Sequence, residues 1–348
     1  MTGLRLGFVV SALAEERPVY TTITVALAAL RRGHEVWFIE ASEFVHDTDD
    51  RIRVRARSTP EREYALAAGS EYLESLLGTE ARRERFALDE LDVVWLRNEP
   101  SFDSEARPWA SSAVYSFARV AELRGVVVLS PPDSLARAAA DKLYTLGFPS
   151  AVRPTTIVTR DLGELAEFAD SALGDIVVKP LQGGGGRRVF FLRSGDRRNL
   201  PQIFETVSEL GYVVAQEYLE ATREGTIRLF MLDGEPLTVG GKVAATRHVP
   251  RPGDLRSNFG ISGMIAPVEL DAETLALAAK VGPRLAEDGL FLVGLDIAGG
   301  KLLESNIFSP GGLRGAEELQ RRPFSEAVVE AMEGRVAQSR RSAHGLTA

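Results

Sequence analysis

VGLDIAGGKLLESNIFSP, residues 293–310, carries two apolar runs joined by Ala-Gly-Gly, the pattern of two buried strands around a tight turn. Each run also holds polar groups that an apolar core rejects: Asp296 in the first, Glu304 and Asn306 in the second. Register decides whether they meet. A two-residue loop at Gly299 and Gly300 pairs Asp296 with Leu303 and sends the acids to opposite faces. A three-residue loop centred on Gly300, closed by a glycine-assisted bulge, pairs Asp296 with Glu304 and puts Asn306 on their face. The second arrangement is the expected one, because three oxygen-bearing groups together suit Mg²⁺, whose charge offsets the repulsion between the acids. The alternative is a structural cluster paired with arginine.

Upstream, residues 271–289 form a helical pattern with Asp271 as N-cap and Gly289 as terminator. Residues 150–250 read as short strands and long loops, among them DIVVKPL, RRVFFL, YVVAQEYL and TIRLFMLDGEPLTVGGKVA. Such a run indicates an α+β region with mainly antiparallel sheets. Residues 4–11, the helical TTITVALAALRRG and HEVWFIEA compose a β-α-β unit, and LDVVWLRNEPSFD and GVVVLSPP supply further strands. The first part of the chain, up to Ser130, therefore reads as doubly wound. The polar tail after Arg335 is expected to fray.

Of the 348 residues, 45% are hydrophobic and 26% charged, which is ordinary for a globular protein of two or three domains. A net charge of −8 without a basic block argues against nucleic acid as the main partner. The absence of cysteine excludes disulfides, thiolate metal sites and a cysteine nucleophile. The first apolar run is too short for a membrane span, and the expectation is a soluble, cytoplasmic protein.

Several residues point to nucleotide chemistry. In VVKPLQGGGGRRVFFL, Lys179 ends a strand, and Gly183, Gly184, Gly185 and Gly186 then precede another strand. Glycines allow several N–H groups to face one concavity, so this loop reads either as a phosphate cover with a lysine beside it or as a flexible hairpin tip. It is neither a Walker loop nor a Rossmann fingerprint. Lys142 reads as a surface lysine when taken alone, and Glu217 as a strand-end acid or a ribose and purine ligand. Arg228 interrupts an apolar strand and needs an anionic partner, either a carboxylate or a ligand. The loop ATRHVPRPGDLRSNFG adds Arg247, Arg251 and Arg256 and reads as a solvated loop or as a lid carrying arginines to phosphates. The four histidines show no metal-ligand spacing, and no serine sits in a G-x-S-x-G elbow.

Taken in order, these parts resemble the ATP-grasp ligases and, more narrowly, the prokaryotic glutathione synthetases, through nearly the whole chain from LRLGFVVSALA to VGLDIAGGKLLESNIFSP. The resemblance implies an ATP-grasp fold of α/β and α+β class. It divides the chain into an N-terminal doubly wound domain (1–130), a lid domain (131–215), a C-terminal antiparallel-sheet domain with the metal site (216–334) and a flexible tail (335–348). It implies that Lys142, Lys179 and Gly183 to Gly186 contact ATP phosphates, and that Gln216, Glu217, Tyr218 and Leu219 form the adenine hinge. Asp296, Glu304 and Asn306 are then ligands of two Mg²⁺ ions, with Mn²⁺ as an alternative, and Arg228 and Arg256 lie near substrate or transferred phosphate.

The implied reaction is ATP-dependent joining of a small-molecule carboxylate to an amine through an acylphosphate, with a homo-oligomer as the assembly and γ-glutamylcysteine and glycine as the substrates. Gln182 stands where the family's phosphate loop has an acidic residue, and SPGGLRGAEE is richer in glycine than the family turn. The other readings are a ligase for a different acid and amine, and a non-catalytic nucleotide-binding regulator.

Overall fold

The structure, a computed structural model, describes residues 3–60, 64–100, 103, 107–138, 141–183, 186–251 and 264–345. Strand β1 (Arg5–Val10), helix α1 (Thr21–Arg31) and strand β2 (Glu35–His46) make the expected β-α-β unit, with Leu6 opposite Val36 in a parallel pair. The chain then departs from the doubly wound expectation. Strands β3 (Ile52–Ser58) and β4 (Arg82–Ala87), separated by α2 (Gly69–Leu77), extend the sheet in antiparallel fashion. In β3, Ile52, Val54 and Ala56 are buried while arginines alternate outward, a period-two pattern that the high charge conceals. Strand β5 (Val93–Leu96), helix α3 (Ala110–Leu123) and strand β6 (Val127–Leu129) complete the parallel side. The six strands run β4-β3-β2-β1-β5-β6, so this sheet is mixed, with its parallel part in the order a doubly wound fold requires.

Helices α4 (Pro132–Arg137) and α5 (Asp141–Leu146) lead into a second sheet. It contains β7 (Thr156–Thr159), β8 (Ile176–Pro180), β9 (Phe190–Leu192) and β10 (Val213–Glu217), backed by α6 (Leu162–Ser171) and α7 (Leu200–Ser208), in the antiparallel order β7-β10-β8-β9.

The third sheet begins with β11 (Thr226–Leu232) and the two-residue β12 (Glu235–Pro236). After the short β13 (Thr238–Val239) and β14 (Lys242–Val243) come β15 (Ala245–Val249) and β16 (Met264–Ala266). Helix α8 (Ala272–Glu287) precedes β17 (Leu292–Ala298) and β18 (Lys301–Asn306), and the order is β16-β15-β11-β17-β18. The start of the arginine-rich segment is thus strand rather than loop, because β15 pairs with β11. Asp271 caps α8 as expected, its Oδ1 accepting from Thr274 N at 2.7 Å.

The chain ends in α9 (Leu313–Gln320) and α10 (Phe324–Gly345). The expectation of a frayed tail fails: α10 continues past Arg335, with Val336 4% exposed and Arg340 bonded to Asp92 at 2.6 Å. Phe324, Val328 and Met332 bury against α1 and the first sheet, so the last helix covers the N-terminal part of the chain. Two hydrophobic cores run through both large sheets. One joins Trp37 and Leu96 to Leu229 and Leu295, and the other joins Phe8 and Trp95 to Phe230 and Phe291. The second sheet has its own core of Leu165, Val178, Ile203 and Ala215. The large sheets therefore form one packed body and the small sheet another.

Helix α10 is also held by Glu333, which accepts from Arg32 at 2.9 and 2.7 Å and meets His34 Nε2 at 2.8 Å. The Arg32 fork holds this carboxyl below the ordinary glutamate range. A depressed folded value contributes stability above the unfolded value, about 4.3, and loses it as pH falls through the folded one. Glu333→Gln should therefore destabilise by up to about 1 kcal/mol at neutral pH, and the difference should shrink steadily as pH falls below about 4, measured by urea unfolding across that range.

Candidate active site

The β17–β18 hairpin corrects the expected loop and keeps the expected pairing. The turn has two residues, Gly299 and Gly300, with φ of +53° and +66°, and pairs Ala298 with Lys301 and Ile297 with Leu302. Both positions are left-handed, which a type I′ two-residue turn requires and glycine supplies without strain. A bulge then leaves Leu303 as the extra residue and pairs Asp296 with Glu304. The shift of face that a two-residue turn imposes is undone within the strand.

Strand β11 brings Arg228 opposite Asp296 on the other side, so Arg228, Asp296 and Glu304 form a row across three strands. Arg228 Nε lies 2.6 Å from Asp296 Oδ1, Nη2 2.9 Å from Oδ2, and Nη1 donates to Gly311 O at 3.0 Å. Asn306 Nδ2 donates to Asp296 Oδ2 at 3.1 Å and to Gly294 O at 3.3 Å. Burial pushes the Asp296 carboxyl up, but Arg228 outweighs it and holds the group below the ordinary aspartate range. Burial opposes the charge of Arg228 too, and Asp296 and Glu304 raise its pKa despite that. His248, on neighbouring β15, is pushed down to about 4 by burial and by Arg228, so it is neutral at physiological pH.

Glycine at 294 makes the row possible. A Cβ there would lie 2.9 Å from Arg228 Cδ and 3.1 Å from Pro310 Cβ, so only glycine lets the arginine pass between strand and loop.

Lys142 is buried at 8% exposure, contrary to the surface reading. Its Nζ donates to Leu181 O at 3.1 Å and Gly183 O at 2.8 Å and lies 3.7 Å from Glu304 Oε1. A hydroxyl contact, Thr145 Oγ1 to Ser305 Oγ at 2.8 Å, ties α5 to β18 and fixes this approach. Lys179, on β8, donates to Gln216 Oε1 at 3.3 Å, with β10 alongside. Gly183 and Gly186 lie between β8 and β9, while Gly184, Gly185 and Arg256 lie outside the described residues. At the end of β10, Glu217 N donates to Thr155 O and Tyr218 N to Asp175 O.

Arg97 was missed by sequence reasoning. Its guanidinium, 3% exposed, donates to Thr22 Oγ1 at 3.2 Å and to Phe308 O and Pro310 O at 3.4 Å, and covers Trp95 at 4.6 Å. Burial pushes its pKa down to about 10, with Glu16 opposing. Arg97 and Arg228 thus grip one loop, 308–311, from two sheets. The available signal was an arginine directly after an apolar strand, akin to the one within a strand that marked Arg228. Beside the loop, where β1 and β5 diverge to opposite partners, a cavity of about 700 Å³ opens between Glu99, Ser111, Tyr115, Gln182, Gly183 and Phe308. Carboxyl ends of strands at such a reversal are where open α/β sheets bind ligands.

Two carboxylates and an amide on one face are the hard oxygen set that a divalent cation takes. Glu304 fits by residue type and face, although Lys142 stands 3.7 Å from its Oε1. Asp296 is engaged as it stands, its Oδ1 accepting from Arg228 and its Oδ2 from Arg228 and Asn306, so a cation there competes with those donors.

The family described as "Prokaryotic glutathione synthetase, N-terminal domain" matches residues 4–136, and "Prokaryotic glutathione synthetase, ATP-grasp domain" matches residues 141–321. The glutathione synthetase of Salmonella typhimurium is 34% identical over 96% of this chain and 99% of its own length. That of Parasynechococcus marenigrum is 33% identical over 94% and 98%. Among solved structures, D-cycloserine synthetase DcsG superposes with a TM-score of 0.62 at 18% identity, covering 94% of this chain and 99% of that one. The ATP-grasp ligase PsnB, in a complex with a precursor variant, Mg and ADP, gives 0.59 at 18% identity, covering 95% and 98%. At those identities the structures show the shared fold.

Breaking a buried ion pair from one side leaves a bare charge, whereas replacing both partners removes the charge altogether. Arg228→Met should cost about 3–5 kcal/mol of stability, and adding Asp296→Leu should recover most of it, measured by urea unfolding.

Proposed function

The chain belongs to the prokaryotic glutathione synthetase family and is a glutathione synthetase-like ATP-grasp ligase, and from that premise we propose that it joins γ-glutamylcysteine to glycine. The ATP-grasp domain implies the use of ATP, and the family implies small-molecule substrates. The terminal phosphoryl group of ATP passes to the acid's carboxylate and ADP leaves. The amine then attacks the acyl carbon and loses a proton, and the C–N bond forms as the C–O bond to phosphate breaks. Negative charge grows on oxygen in both steps, so fixed cations provide the catalysis.

The observation that carries this reading is the convergence of Arg228, Asp296, Glu304, Asn306 and Lys142 beside the 700 Å³ cavity. Lys142 and Lys179 hold the phosphates, Gly183 to Gly186 cover them, and Gln216 to Leu219 hold the adenine, with Glu217 on the adenosine. Arg228 and Arg256 meet the transferred phosphoryl group. Asp296, Glu304 and Asn306 would hold two Mg²⁺ ions, or Mn²⁺, which when bound neutralise phosphate charge. The small sheet, with its own core, serves as the lid and closes over the nucleotide, excluding water from the acylphosphate. The acid substrate lies in the cavity between Ser111, Tyr115 and Phe308. A homo-oligomer in the cytoplasm completes the proposal. No helix among the described residues is long and apolar enough to cross a membrane.

ADP release from a panel of acids and amines tests the reading. The expected outcome is release that requires both γ-glutamylcysteine and glycine, with Glu304→Gln lowering kcat at least about 100-fold while the thermal midpoint is kept. Preference for another pair would retain the ligase and replace the product. A parent that forms no amide with any pair would overturn the enzymatic reading.

A further inference from the structure

Asp296 accepts three hydrogen bonds in a site that takes a cation on the reading above, and that conflict carries information. Arg228 covers both carboxylate oxygens at 2.6 and 2.9 Å. Asn306 turns its Nδ2 toward Asp296 Oδ2 and Gly294 O, two acceptors that dictate this amide orientation, so its carbonyl faces away from Asp296. Lys142 stands 3.7 Å from Glu304. Two acids already face two cations. A divalent ion entering this balanced cluster meets repulsion from both cations and finds one carboxylate occupied. Phosphate oxygens alter the balance, because they attract the same arginine and lysine that hold the acids.

We propose that Arg228 is an internal competitor of the divalent cation: it occupies Asp296 until nucleotide phosphates draw it away, so the cation enters with or after the nucleotide. The inference rests on Asp296 and Glu304 being metal ligands. Gly294 leaves the arginine a path, since nothing branches from that backbone against Arg228 Cδ. Linkage then requires reciprocity: nucleotide raises affinity for the cation, and the cation raises affinity for nucleotide by the same factor.

Mn²⁺ binding by the full-length protein, followed by the electron paramagnetic resonance of the free ion, tests this without turnover. With Mn²⁺–ADP in solution accounted for, the parent without nucleotide should bind Mn²⁺ at least about tenfold more weakly than the ADP-loaded parent. Arg228→Gln without nucleotide should gain at least about tenfold, and the gain should vanish in Arg228→Gln/Asp296→Asn. A general loss of positive charge would leave the gain in place. Nucleotide-free and ADP-loaded parent binding within about threefold of each other would overturn the proposal, and so would no gain in Arg228→Gln or a gain kept by the double variant. The parent comparison stands even if Arg228→Gln fails to fold. Glu304→Gln separates the two levels. If it leaves Mn²⁺ binding by the ADP-loaded protein unchanged, the metal reading itself fails. If it weakens that binding while Arg228→Gln gains nothing, only the competition is lost.

Discussion

Arg228 and Asp296, buried against each other on neighbouring strands, impose conditions that much of the third sheet exists to meet. Two desolvated charges are tolerable only with close geometry and every remaining donor and acceptor satisfied. The fork needs the strands in register, with both side chains on one face. The third guanidinium nitrogen needs an acceptor, which Gly311 O provides, and the spare lone pair of Asp296 needs a donor, which Asn306 provides. Asn306 reaches it only because the bulge at Leu303 returns β18 to the face of Asp296. The missing side chain at Gly294 leaves room for the arginine.

The same pair ties the site to the rest of the molecule. Arg228 holds Gly311 O while Arg97, from the end of β5, holds Phe308 O and Pro310 O, so the loop after β18 is anchored from two sheets. Continuous apolar cores already join those sheets into one body. The small sheet is packed separately, and Lys142 bridges to its Leu181 and Gly183 carbonyls from a helix fastened to β18. Its separate core makes the small sheet a packing unit distinct from the two large sheets.

Much of this was legible in the sequence because local rules suffice for it. The glycine pair announced a tight turn, Asp271 announced a helix start that its hydrogen bond to Thr274 realises, and an arginine within an apolar run announced an anionic partner, which the structure supplies as Asp296. Strands β3 and β4 were illegible because arginines on their open face hide the alternation of Val54 and Ala56. The end of α10 was misread because the polarity of residues 337–345 gives no sign that Val336 lies against the core. Lys142 looked like a surface lysine because the carbonyls of Leu181 and Gly183 are remote in the chain.

By itself the sequence determined the residue types of the site, a tight turn at Gly299 and Gly300, and the family, since the linked motifs span the chain. Only the tertiary structure decided how the acids meet. A glycine turn sets register for the residues beside it, and a bulge farther along costs little locally, so nothing in KLLESN alone says that Leu303 is the extra residue. What selects the bulge is the row it completes, where Asp296 is held by Arg228 from β11 and Asn306 from β18. Those partners lie 68 and 10 residues away in the chain, and their attraction acts only once the three strands lie side by side.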